Sequence, residues 1–439
     1  MKFIERGNFE KAYQELKSNQ NNAVAFVFDE QNSKQGPLSN VIFTLKNNYA
    51  KLISTTDASS NLLTNFTPGY NATILELLLE SGASLVATTN LDEFGMGGTG
   101  QFSNHGLIVH PKNEKHLVGG SSSGAAATFS LNIGFAIGSD TGDSVRLPAS
   151  NIGVVGFKPS YGAVSRYGLF AYASSMDTVA WFSHNVNDSY IVAQTLFKQD
   201  PKDLTSVQIN LAPEIKAQKP LKVAYLDCFD YVEEYVAKAY QQLLDKLKSE
   251  NVELVKINPN VQLLESVKTV YDVISFSEAT SNLSNLTGVG FGQRKEGQNW
   301  EEIFKQTRSD GFGFMVQRRL ALGSFFLQKE NQEKFFLRAQ KVRRLIYNWF
   351  NQIYDKYDFL IFPSSQSIAP LKENDQSPKN FMNYILTSSN LVGNPSINLK
   401  LGEHQGLPFN ISIDSKIYQD EKLFSCALYI EQLLGDKND

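Results

Sequence analysis

The stretch "VGGSSSGAAATFS", residues 118–130, sets Ser121, Ser122 and Ser123 between glycines in mid-chain. Such a run can be a flexible linker, a phosphate-binding loop or part of a hydrolytic site. The linker reading is weak, because the run continues straight into "AAATFSLNIGFAIG", an apolar stretch that must pack. A phosphate loop needs Gly-x-x-x-x-Gly-Lys-Ser/Thr, and no lysine follows Gly124. A serine hydrolase needs a nucleophile, a base and donors for an oxyanion. Ser144 lies downstream in "GSDTGDSVRLPAS", and Lys46 lies upstream at the end of "VIFTLK". None of His105, His110, His116, His184 and His404 has a recognisable triad setting, and no Gly-x-Ser-x-Gly elbow occurs. A lysine replaces histidine as base when it is neutral. Burial at the end of an apolar strand favours that form. A second serine can then carry the proton between lysine and nucleophile. Asp140 and Arg146 read as groups that hold the Ser144 loop. Asp92 and Glu93, neighbouring carboxylates at a helix start, read as caps.

The elements that must position these residues alternate. "NAVAFVF" and "NVIFTLK" have strand character, and "ATILELLLESGASLVATTN" reads as a helix stopped at Gly82 and followed by a strand. "SLNIGFAIGSD" ends in a buried strand, and "VVGFKPS" and "LKVAYL" are further strands. "ENQEKFFLRAQKVRRLIYNWFNQIYDKYD" reads as a long amphipathic helix, and "FLIFPSS" as a strand ending at Pro363. The alternation predicts an α/β fold on a mixed, mostly parallel sheet. Residues 199–220, with Pro201, Pro213 and Pro220, read as a long loop before a more helical half at 221–439.

Composition narrows the classes. The chain has 439 residues, 42% hydrophobic and 20% charged, an ordinary globular balance. A net charge of −4 gives no overall basic field for nucleic acid or an anionic membrane. Two cysteines far apart, Cys228 and Cys426, exclude a disulfide framework and a cysteine metal site, and fit the reducing cytoplasm. "MKFIERGNFEKAYQELKSNQ" lacks the apolar centre of a signal peptide.

"GGSSSGAAA" followed by "GSDTGDSVRLPAS", with Lys46 upstream, resembles the amidase signature family. "YNATILELLLESGASLVATTNLDEFGMGG" and above all "SRYGLFAYASSMD" are similar to segments of the glutaminase chains of its tRNA-dependent amidotransferases. The resemblance is strongest over 41–188 and implies one large amidase-signature domain over 1–439. It implies a Ser–Ser–Lys triad with Ser144 as nucleophile, Ser121 as a cis serine and Lys46 as base. It also implies an oxyanion hole from the backbone of Thr141, Gly142, Asp143 and Ser144. Met96, Gly98 and one of Arg318 and Arg319 would contact substrate. The implied activity is glutamine hydrolysis, with ammonia passed on to amidate Glu-tRNA(Gln) or Asp-tRNA(Asn). The B and C subunits of such a complex and the mischarged tRNA would be the partners, with ATP and Mg²⁺ at the B component and no metal or cofactor in this chain.

Four departures bear on that reading. Asp143 stands where the family usually has glycine. Leu286, in "NLSNLTGVGFG", stands where glutamine-using members have a tyrosine, and Asn285 where they have an arginine. No acid matches the one expected near Asn383 and Tyr384 to receive an α-ammonium. The Ser121–Ser144 spacing is one residue short of the usual, which leaves Ser122 as an alternative relay. A stand-alone amidase for another small amide and a non-catalytic scaffold therefore stay open.

Overall fold

The computed structural model describes residues 1–373 and 379–435. Its strands are β1 (Val24–Val27), β2 (Ile42–Lys46), β3 (Ser84–Thr89), β4 (Phe135–Asp140), β5 (Val155–Lys158) and β6 (Thr178–Ser183). They continue as β7 (Lys222–Leu226), β8 (Glu253–Ile257), β9 (Phe359–Pro363), β10 (Ser396–His404) and β11 (Leu407–Ser415). Among the described residues they form a single sheet in the order β1-β3-β2-β4-β6-β5-β10-β11-β9-β7-β8.

The sheet is mixed, as the alternation implied, but it is not mostly parallel. β2 runs parallel to β3 and β4, and β7 runs parallel to β8 and β9. The remaining six pairings are antiparallel. The cause is local chain geometry. β10 and β11 are joined by a tight hairpin at Gln405 and Gly406, both at positive φ, and a hairpin admits only antiparallel pairing.

β2 and β4 are the elements that matter for the serines. Every residue of both is buried, so they read as near-continuous apolar runs, the pattern of strands covered on both faces. Phe43 of β2 stacks on Phe135 of β4 with ring centroids 5.1 Å apart. Their carboxyl ends deliver Lys46 and Asp140 to one edge of the core, where crevices open in parallel sheets. The helix Ser123–Thr128, "SGAAAT", is buried at every position. A Cβ at Gly124 would lie 2.3 Å from the Asn90 carbonyl oxygen, so only glycine admits this packing. The long amphipathic helix extends from Lys329 to Tyr354 through a π-turn at Glu333–Leu337. No helix or strand lies between Leu196 and Lys222 among the described residues. No helix there is long and apolar enough to cross a membrane.

Candidate active site

Lys46 ends β2 with its side chain fully enclosed. Its Nζ donates to Ser121 Oγ at 2.8 Å, Ser139 Oγ at 2.9 Å and Ser122 Oγ at 3.0 Å. Asn48 Nδ2 donates to the same Ser139 hydroxyl at 3.2 Å. Burial pulls the amine down to about 7, against the opposing pull of Asp92, Asp140 and Asp177. Near neutral pH a sizeable share of Lys46 is therefore the free amine, which can take a proton from a hydroxyl it touches. The Gly120–Ser121 peptide bond is cis. Gly120 is needed here because a Cβ would fall 2.2 Å from Asp92 Oδ2.

Ser144 closes the turn after β4. The Ser122 N–H donates to its carbonyl oxygen at 3.2 Å, tying the serine run to the turn through the backbone. The Ser144 hydroxyl makes no hydrogen bond among the described residues, so Lys46 meets Ser121 and Ser122 directly but not Ser144. The backbone N–H groups of Thr141, Gly142, Asp143 and Ser144 also find no acceptor among the described residues. Four successive free amides at the end of a buried strand can bind an oxyanion.

That turn is held from below. Asp140 Oδ2 accepts from the N–H groups of Val145 (3.1 Å) and Arg146 (3.3 Å). Fully buried Arg146 forks onto both Asp140 oxygens, at 2.9 and 3.1 Å, and also donates to the carbonyls of Gly142 and Leu386 and to Ser389 Oγ. Burial pushes the Asp140 carboxyl up, but Arg146 and Lys158 outweigh it and hold it low. Thr141 Oγ1 donates to Asp177 Oδ1 at 2.7 Å.

The two carboxylates read as caps serve otherwise. Asp92 Oδ2 accepts from the amides of Gly98 (2.7 Å), Thr99 and Gly100 (both 3.2 Å), and Oδ1 from Phe102 (2.9 Å), so it shapes the 97–102 loop. Glu93 accepts from Ser60 Oγ, Asn104 Nδ2 and the Gly313 N–H, and burial still lifts it to about 7. Asp92 stands at the N-cap of the 3₁₀ turn Glu93–Gly95 but makes no side-chain cap bond to it, and Glu93 is the first residue of that turn.

The arginine pair separates. Arg318 is exposed, whereas Arg319 donates to Tyr172 Oη at 2.8 Å and to the Gly97 carbonyl at 3.1 Å, and lies over the Phe276 ring. Met96 is fully buried, and Gly98 lies at φ +147°. Leu286 faces an apolar cavity of about 440 Å³ with Phe66, Phe94 and Phe170; Asn285 lines it too. Asn383 is committed to the Asn380 N–H, and Tyr384 lies under Lys268. Asp143 is half-buried beside Ser144, and burial together with Asp140 raises its carboxyl to about 7. Ser139, Asp177, Tyr172 and Tyr271 escaped the sequence reading. The first three lie inside segments already singled out, where a second serine, an aspartate and a tyrosine could have been weighed. Tyr271, whose ring lies 3.2 Å from where a Gly142 Cβ would sit, is a mid-helix tyrosine without a local signal.

The sequence pattern of the amidase family matches residues 8–424. The chain belongs to the amidase family. This amidase is 36% identical over 421 residues to the A subunit of glutamyl-tRNA(Gln) amidotransferase from Mycoplasma genitalium, covering 92% of this chain and 88% of that one. It is 35% identical over 414 residues to the protein of the same name in Sulfolobus acidocaldarius, covering 91% and 86%. The crystal structure of the same-named protein from Thermotoga maritima superposes with a TM-score of 0.82 at 29% identity, over 98% of this chain and 91% of that one. Among the described residues no cluster of three or more His, Cys, Asp or Glu side chains forms a metal site.

Proposed function

We propose that this amidase is the glutamine-hydrolysing component of a tRNA-dependent amidotransferase that acts in the cytoplasm. Ammonia from glutamine is passed to its B and C partners, where ATP and Mg²⁺ chemistry amidates Glu-tRNA(Gln) or Asp-tRNA(Asn). The observation that carries this is the enclosed Lys46–Ser121 contact beside four unengaged amides. The relatives at 35–36% identity supply the substrate class.

In this reading the free amine of Lys46 takes the proton of Ser121, and Ser121 takes that of Ser144. Ser144 Oγ attacks the glutamine side-chain amide carbon. The oxygen turns negative against the 141–144 amides. The proton returns through Ser121 to the leaving nitrogen, the C–N bond breaks and ammonia departs. Water then attacks the Ser144 ester with Lys46 again as base, and glutamate leaves. Ser121 and Ser122 both touch Lys46, and Ser121 is assigned the relay because it makes the shorter contact. Steady-state ammonia release from glutamine, with and without the B and C partners, tests the reading. Glutamine turnover that rises on assembly is expected. An inert glutamine with brisk turnover of simple amides would make the chain a stand-alone amidase, and no turnover in any assembly would make it a scaffold.

A further inference from the structure

Glutamine is a zwitterion. Its α-carboxylate needs a cation and its α-ammonium an anion, because a desolvated charge without a partner is strongly disfavoured. Arg319, on the wall that carries Gly97 and Tyr172, is the inward cation of the pair. Most carboxylates around the turn are already engaged. Asp92 holds the 97–102 amides, Asp140 is forked by Arg146, Asp177 receives Thr141 and the amides of Tyr172 and Ala173, and Asp272 is paired with Lys268. Asp143 differs. It adjoins Ser144 and is half-buried, and among the described residues its carboxylate accepts no hydrogen bond and joins no ion pair. The adjoining Gly142 lies against the Tyr271 ring, and Tyr271 hydrogen-bonds Tyr172, to which Arg319 donates, so the turn that carries Asp143 faces the Arg319 wall.

We propose that the Asp143 carboxylate receives the α-ammonium of the bound amide, so that residue 143 selects amino-acid amides over plain amides. The inference rests on the glutamine reading and adds the residue that enforces it. The logic is one of exclusion as much as attraction. A carboxylate beside the oxyanion amides opposes the charge that develops there, and the substrate's own ammonium neutralises it. An amide without that ammonium meets the opposing charge uncompensated. Burial and the neighbouring Asp140 hold this carboxyl up at about 7, so a cation arriving beside it favours the charged form.

The test compares glutamine with glutaramate, the same amide without its amino group, using the complex with the B and C partners. The ratio of kcat/KM for glutamine to that for glutaramate is measured for the native protein, Asp143→Asn and Asp143→Gly. The expected result is a native ratio of at least about a hundred that falls at least about tenfold in both variants, chiefly through the KM for glutamine. Calorimetric binding of glutamine to Ser144→Ala should likewise weaken about tenfold when Asp143→Asn is added. An unchanged ratio with both rates falling together would overturn the proposal, as would unchanged binding, while leaving glutamine hydrolysis standing. A native protein that ignores glutamine and turns over glutaramate overturns both.

Discussion

At the scale of single residues, the chemistry turns on Lys46. Its amine sits near 7 because burial outweighs three aspartates, and only the neutral form can accept a proton. The rate on glutamine should therefore rise as pH increases through about 7 and level off above it, with kcat in saturating glutamine reporting the enzyme–substrate complex. A rate that is flat from pH 6 to 8.5 would remove Lys46 as base. Lys46→Ala and Ser144→Ala should each lower kcat by at least about a thousandfold, and the double variant should be little worse, since members of one relay are not additive. Losses that multiply would mean the two residues act separately. The triad candidates were legible in the sequence because strand end, serine run and glycine-rich turn each have a local pattern. Arg319 was not separable from Arg318, because adjacent helix residues differ only in which way they face, and that is set by the packing of Phe314–Leu327.

At the scale of elements, the Ser144 turn is held by one buried side chain. Arg146 joins the turn to the segment around Leu386 and Ser389, distant in sequence. Arg146→Ala removes the ion-pair partner of an enclosed Asp140 and should cost about 3–5 kcal/mol in denaturant unfolding, with activity lost in the fraction that stays folded. A cost under about 1 kcal/mol would show that the turn stands without it. The parallel strands β2, β3 and β4 were readable as apolar runs bounded by turns. β6, β8 and the β10–β11 hairpin were not assigned. Leu399, Ile411 and Ile413 of the hairpin are buried, but its turn, His404-Gln405-Gly406-Leu407, lacks the Asn-Gly or Asp-Gly pair that marks such turns in sequence. Missing those strands is what made the sheet look mostly parallel. Asp92 was misread for a related reason. The amides it gathers lie in the irregular 97–102 loop, and nothing in an adjacent acid pair foretells that geometry.

At the scale of the whole molecule, the fold encloses three lysines, Lys46, Lys51 and Lys158, each drawn down to about 7 by burial. In the unfolded chain such amines bind protons up to about 10.4. Between pH 7 and that value the unfolded state holds more protons than the folded one, so these groups make stability rise with pH. Asp143, Glu93 and Glu431, lifted to about 7, act the opposite way, but only below it. Buried Cys228, raised to about 12, begins to oppose the gain near its unfolded value of about 8.5. The denaturation midpoint should thus increase from pH 7 to 8.5, and Lys51→Met should flatten that increase. A midpoint that falls over this interval would contradict the burial of these amines. Mass spectrometry after rapid acid quench of the glutamine-fed complex asks whether Ser144 carries the acyl group of glutamine. A glutamyl ester on the peptide containing Ser144, absent from Ser144→Ala, is the predicted result. Undiminished ammonia release by Ser144→Ala, or an adduct on another residue, would contradict it.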